Sequence, residues 1–209
     1  AGQYACLADI KLVVRGGKVI SRSLSGEVES FGSENYDTAM EEAFKSDYEK
    51  VRDFNASHVG EVKKDLVSRE FYYRQCDYMN FLHALAFSAW PVDISLSATL
   101  LIDGMVPAGV VRYQDIRKIY PYDNKLIVLR LTGAEILRYL EASYDAWINT
   151  VPGPAEGSHV LRITQTKDYA TGGLKWKLAK SPANFDSAAG IRYTVDVTKP
   201  YGSRVTVSG

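Results

Sequence analysis

Residues 118–140 read KIYPYDNKLIVLRLTGAEILRYL, and this stretch decides the fold. Five of the six residues from Leu126 to Leu131 are aliphatic, with no polar alternation. That is the pattern of a strand covered on both faces by other layers, with Arg130 at an edge or partnered. A helix begins at once, because Thr132 and Glu135 form an S/T-x-x-E capping box: the hydroxyl meets the N3 amide and the carboxylate returns to the N-cap amide. Ile136, Leu140 and Tyr144 then share one helical face. Ahead of the run, Pro121-Tyr122-Asp123-Asn124 is turn chemistry, which puts an aromatic ring and an amide on a loop at the strand's mouth. The expectation is an α+β domain of layered sheet and helices. Leu126–Leu131 is its central strand, and helices starting near Asp77 and Thr132 pack on sheet faces.

The chain has 209 residues, enough for a substantial core, and carries 25 basic and 25 acidic side chains. A zero net charge gives no electrostatic case for nucleic acid or an anionic membrane as partner. No apolar run approaches the about 18 residues that a membrane span needs. Cys6 and Cys76 are far apart and lack metal-ligand spacing, so they read as two separate thiols.

Outward from the central stretch, residues 3–14 alternate between apolar and polar types. Gly16-Gly17 then allows a reversal into Lys18-Val19-Ile20, which makes a β-hairpin. Asp37 to Phe54 is polar on most sides, with Met40, Phe44, Tyr48 and Val51 in a narrow stripe; it reads either as an interdomain linker helix or as a surface helix of one domain. Val59–Val67 reads as a strand, Asp77–Ser88 as an amphipathic helix, Asp93–Leu96 and Val106–Val111 as short extended pieces, and Tyr113–Ile119 as one or two helical turns. Thr150–Gly157 is rich in Pro and Gly, and short β-like runs follow it. Ile191–Val197 alternates strictly and leads through Lys199-Pro200-Tyr201-Gly202 into Arg204–Val207, a second hairpin.

Catalytic motifs are absent from the sequence. It contains no D-x-H or G-N-H-[DE] metal setting, no G-x-S-x-G elbow and no Gly-rich phosphate loop. His58, His83 and His159 are dispersed and read as surface or hydrogen-bonded histidines. No catalytic residue and no cofactor is assigned to this chain.

The ordered set of short motifs resembles the 5'-nucleotidase C-terminal domain family. The PYDN-KLIVLRLTGAEI stretch is similar to its P-F-G-N-x-L…L-T-G-x-x-L signature. Asp93–Leu96, Val106–Val111 and Tyr113–Ile116 follow the family order upstream; Ala189–Tyr193 and Lys199–Val205 follow it downstream, so that residues 58–209 are covered. The hairpin of residues 1–30 resembles the end of a preceding metallophosphoesterase domain, with 31–57 as the linker. The resemblance implies a substrate-recognition domain of a 5'-nucleotidase or 2',3'-cyclic-nucleotide phosphodiesterase-like hydrolase. Its partners are then a nucleotide or nucleoside and the catalytic domain of the same protein, where a divalent metal pair is expected. It implies a periplasmic or other extracytoplasmic location and a divergent bacterial branch of the family. It also implies that family segments beyond residue 209, including a second stacking aromatic, lie outside this chain.

By the same resemblance Tyr122 takes the place of the aromatic that stacks the nucleobase, and Asn124 that of the motif asparagine. Asn124 either bonds the ligand or holds the loop. Two family arginines are replaced: one position holds Asp103 and the other Tyr72, with Arg74 two residues away as a substitute. A carboxylate where a cation met an anionic ligand reverses the sign of the interaction. The expected substrate-binding set is Tyr122, Asn124, Arg74 and Asp103. The alternative is a binding or scaffolding module that kept the fold and lost nucleotide recognition.

Overall fold

The computed structural model describes residues 4–30, 37–153, 159–168 and 171–208. The parts of the expected hairpin, linker, Pro/Gly-rich and terminal segments that fall on residues 1–3, 31–36, 154–158, 169–170 and 209 lie outside these. The chain divides into two compact units, Ala1–Asp53 and Phe54–Gly209.

In the first unit, β1 (Tyr4–Arg15) and β2 (Lys18–Ser30) form a long antiparallel hairpin. Gly16 (φ 56°) and Gly17 (φ 76°) supply the left-handed turn that side chains with a Cβ resist. Cys6 pairs with Val28 and Ile10 with Leu24, while Leu7 opposes Glu27 and Lys11 opposes Ser23. The period of two thus sorts an apolar face from a mixed one. Helix α1 (Thr38–Asn55) is capped by Asp37, whose Oδ1 accepts from the amides of Ala39 and Met40 at 3.0 Å each. Its Met40, Phe44, Tyr48 and Val51 stripe is exposed.

The second unit is an α+β fold built from short paired strands. β3 (His58–Val62) pairs with β7 (Gly109–Arg112), and β4 (Leu66–Val67) with β6 (Met105–Val106). β5 (Ser95–Ala98) pairs with β10 (Asp186–Ala189), β8 (Ile163–Lys167) with β9 (Leu174–Leu178), and β11 (Tyr193–Val195) with β12 (Val205–Val207). The helices are α2 (Asp77–Ala89), α3 (Tyr113–Ile119) and α4 (Gly133–Trp147), with a 3-10 turn at Ser68–Tyr72. The expected single strand over Val59–Val67 is therefore two, broken at the polar Lys63-Lys64-Asp65. The Val106–Val111 piece is split by Pro107, which has no amide to give a ladder.

The capping box of α4 is present as read. Thr132 Oγ1 accepts from the Glu135 amide at 3.3 Å, and the Glu135 carboxylate accepts from the Thr132 amide at 2.8 Å. These bonds hold the Glu135 carboxyl below its usual range.

The central strand is the main correction. Leu126–Leu131 belongs to no strand, and among the described residues no backbone hydrogen bond reaches it. Its side chains are open on both parities, from 38% at Leu131 to 74% at Ile127. An unbroken aliphatic run states that a segment prefers burial; a ladder also needs a partner backbone, and none of the described segments supplies one.

The core lies instead around Trp147. Its ring stacks between Phe71 (centroids 5.0 Å apart, 17° between planes) and Phe185 (4.8 Å, 22°). Such aromatic contacts contribute about 0.5–1.5 kcal/mol each beyond their buried area. Tyr78, Met79, Val106 and Ile119 complete it. Three polar groups tie the last hairpin to α4. Buried Glu141 accepts from the amides of Val205 at 2.6 Å and Gly202 at 2.8 Å. Arg204, 1% exposed, donates to Thr150 Oγ1 at 3.0 Å and to the Lys199 carbonyl at 3.3 Å, and it lies 3.5 Å from Asp145.

Candidate functional site

The loop that joins β5 to β6 is anchored from below by Ser68, which is fully buried. Its Oγ donates to the Ile102 carbonyl at 3.1 Å and accepts from the Gly104 amide at 2.8 Å, while its own amide donates to the Gly104 carbonyl at 2.9 Å. From the other side the end of α3 presses in. A Cβ on Gly104 would lie 2.8 Å from the Lys118 carbonyl oxygen, so only glycine allows this approach. The Tyr78 hydroxyl donates to the carbonyl of Ile119 and fixes the helix end; burial pushes that phenol up to about 12.

Asp103 stands between these anchors with its side chain outward, 62% exposed. Arg69 grips it: Nε lies 2.6 Å and Nη2 2.5 Å from the same oxygen, Oδ1. Asp103 lines a pocket of about 430 Å³ with Leu101, Ile102, Met105, Arg117 and Lys118. The Lys118 ammonium is held by Asp115 at 2.8 Å, a bond that lowers the Asp115 pKa below its ordinary value together with the Arg112 amide.

The other expected site residues lie elsewhere. Arg74 is exposed and pairs with Glu70 at 3.1 Å. It lines a separate cleft of about 1140 Å³ with Phe71, Tyr144, Trp147, Arg192 and Tyr193. Arg74 and Asp103 thus face different cavities. Tyr72 packs in the aromatic core, and burial, with the Asp103 charge as a smaller contribution, raises its phenol well above the ordinary range. Tyr122 is 55% exposed on the turn. Asn124 donates from Nδ2 to the Tyr120 hydroxyl at 3.0 Å, the loop-holding use of its amide, and among the described residues Oδ1 has no partner.

His83 is 5% exposed. Its Nδ1 lies 2.9 Å from Ser95 Oγ and its Nε2 3.0 Å from Ser187 Oγ, so it joins α2 to β5 and β10, and burial lowers its pKa. His58 and His159 are exposed. Among the described residues no three His, Cys, Asp or Glu side chains cluster to hold a metal, and no helix is long and apolar enough to cross a membrane. Sequence reasoning missed Arg69 and Arg117, since neither position carries a motif; contact with Asp103 marks Arg69, and a place in the same pocket lining marks Arg117.

The domain therefore offers an exposed ring at Tyr122 and, in a pocket that Tyr122 does not line, a paired carboxylate with cations. A profile of the 5'-nucleotidase C-terminal domain matches residues 58–208, and the chain belongs to that family. The trifunctional nucleotide phosphoesterase protein YfkN of Bacillus subtilis (strain 168) is 30% identical over 95 residues, 46% of this chain and 6% of that protein. A Staphylococcus aureus protein assigned as a 5'-nucleotidase and solved in complex with alpha-ketoglutarate shares the fold, with a TM-score of 0.65 and 18% identity over 96% of this chain and 36% of that one. A 5'-nucleotidase precursor from Thermus thermophilus aligns over 98% of this chain and 35% of that one, with 19% identity and a TM-score of 0.49. The chain spans only a minor part of each relative's length.

Proposed function

We propose that this chain is the substrate-recognition part of a nucleotide-hydrolysing phosphoesterase, of 5'-nucleotidase or 2',3'-cyclic-nucleotide phosphodiesterase type, acting in nucleotide breakdown outside the cytoplasm. The observation that carries this reading is the exposed Tyr122 ring on a turn held by the Asn124 to Tyr120 bond, in a chain that belongs to the family. An open ring on a braced loop offers its π-face to a base, a stack that contributes ~1–3 kcal/mol. One such stack gives millimolar binding at best after the cost of association. On this reading cleavage belongs to an accompanying metallophosphoesterase domain with its own metal pair, with residues 1–30 at its edge and 31–57 as the connection.

The test uses the longer gene product with a divalent metal. Hydrolysis of 5'-AMP or 2',3'-cyclic AMP is expected, with a KM that rises on Tyr122→Ala while kcat changes less. The pairing of Asp103 with Arg69 favours the second reading, a module that kept the fold and lost nucleotide recognition. Absence of hydrolysis of both substrates by the metal-loaded protein selects it.

A further inference from the structure

The zero net charge of the chain averages over an uneven distribution. Residues 161–180 carry five cations, Arg162, Lys167, Lys175, Lys177 and Lys180, against one carboxylate, Asp168. Arg162 is matched by Asp145 at 3.0 Å and Lys175 by Asp168 at 3.3 Å. Lys177, in β9, and Lys180, just past it, are exposed and among the described residues have no ion-pair partner. Among those residues β8 and β9 pair only with each other, so β9 is the edge of a two-stranded ribbon.

Alternation sorts the side chains of this ribbon. Leu178, opposite Ile163, packs on the core. On the same face, two and four residues back, Trp176 is 59% and Leu174 70% exposed, opposite Gln165 and Lys167. The core-facing row therefore continues into solvent with an indole and an isobutyl group. His159, itself exposed, is a ring neighbour of Trp176, with 6.1 Å between centroids.

Lysines on an edge strand keep other strands from pairing with it. That role does not call for an open Trp and an open Leu on the same strand. An anionic bilayer surface uses all of these groups: the indole sits at the head-group level, the aliphatic group enters beside it, and lysine stems reach past the ribbon's edge to the phosphates. A single-stranded nucleic acid would engage the ring and the charges but has no place for the Leu174 side chain. We propose that the β8–β9 ribbon is a peripheral docking surface for an anionic lipid bilayer, in which Trp176 and Leu174 enter the interface and Lys177 and Lys180 meet the head-group phosphates. The contact is reversible and salt-sensitive, since it rests on two apolar side chains and two ammonium groups. It does not depend on the nucleotide-recognition reading.

The test is co-sedimentation of the 209-residue chain with vesicles of phosphatidylcholine alone or mixed with phosphatidylglycerol, at low and at physiological salt. Binding is expected to the mixed vesicles and to weaken as salt rises. Lys177→Gln and Lys180→Gln should each weaken it about five-fold, the share of one lysine at such a surface. Trp176→Ala should weaken it about ten-fold, as loss of a partly buried large side chain does. Trp176→Tyr keeps an interfacial ring and should restore most of the binding, which separates a lost contact from a lost fold. Two controls are expected to leave binding unchanged: Lys63→Gln, the same charge change at an exposed site elsewhere, and Trp90→Ala, an open Trp after α2. No sedimentation with the mixed vesicles, equal sedimentation with both kinds, or binding indifferent to Trp176→Ala overturns the proposal. Equal losses in Lys63→Gln and Lys177→Gln overturn it as well, in favour of diffuse charge attraction. A single-stranded oligonucleotide that displaces the chain from vesicles and binds through Trp176 and Lys177 assigns the ribbon to nucleic acid instead.

Discussion

Arg69 holds Asp103 through Nε and Nη2 on a single carboxylate oxygen, at 2.6 and 2.5 Å, and leaves Oδ2 open. Both side chains are more than 60% exposed, and solvent-exposed pairs contribute about 0.2–1 kcal/mol. Arg69→Ala is therefore expected to lower stability by less than about 1 kcal/mol in urea denaturation. Its larger effect is on ligands, because an unneutralised Asp103 repels an anion. AMP binding should fall while adenosine binding holds. A stability loss of several kcal/mol would show that Arg69 is a structural pin.

Glu141 is a stronger pin. Its carboxylate receives two amides of the last hairpin inside the protein. In Glu141→Gln one oxygen becomes an NH2 that faces an N–H, which leaves a buried donor unpaired at about 1–3 kcal/mol. Chemical denaturation should report a loss of that size, with an unchanged m-value if unfolding stays two-state.

His83 makes the fold sensitive to mild acid. Its folded pKa lies below the ordinary histidine value. The unfolded chain thus binds the extra proton first, and stability rises with pH across the interval between the two values. The contribution is complete above about pH 6.5 and is lost as pH falls through the folded pKa. Tm measured from pH 8 to 5 should drop below about pH 6.5 in the unaltered protein, and more shallowly in His83→Gln. Parallel curves would remove His83 as the cause.

The run Leu126–Leu131 offers the opposite test, because exposed apolar side chains contribute little to stability. Ile127→Lys and Leu129→Lys should each change stability by no more than about 0.5 kcal/mol. Light scattering should show less self-association, since an unpaired apolar segment seeks a partner backbone. Losses above about 2 kcal/mol would mean that the run is buried in solution.

The helices were legible because their signals are local. The Thr132–Glu135 box, the Met40–Val51 stripe and the turn residues Gly16-Gly17 each lie within a few positions of the structure they specify. The family was legible through motif order. Three features were not. Pairing of β5 with β10 spans about ninety positions, and nothing in Ser95–Ala98 names Asp186–Ala189 as its partner. Leu126–Leu131 has the composition of a central strand, yet composition cannot state whether a partner exists. The Asp103 environment was misread in part: the carboxylate is visible in the sequence, but its neutraliser Arg69 sits thirty-four positions away with no pattern to link them. Charge at a site is a property of neighbours, not of one position.

The attachment of the final hairpin to α4 bears on how the domain is taken apart. Glu141 and Arg204 put charged groups in the protein interior: Glu141 takes its two donors from the hairpin, and Arg204 reaches Asp145 of α4, which is partly exposed and pairs with Arg162 as well. Residues 199–208 are therefore not a tail that can fray while the rest holds. If a protease cut the 199–203 turn, or a stop codon fell there, the buried Glu141 carboxylate of α4 would lose both amide donors, while Asp145 would keep Arg162. Helix and hairpin should lose protection from solvent exchange together, as one cooperative block, so trimming into residues 199–208 removes the donors of Glu141 as well.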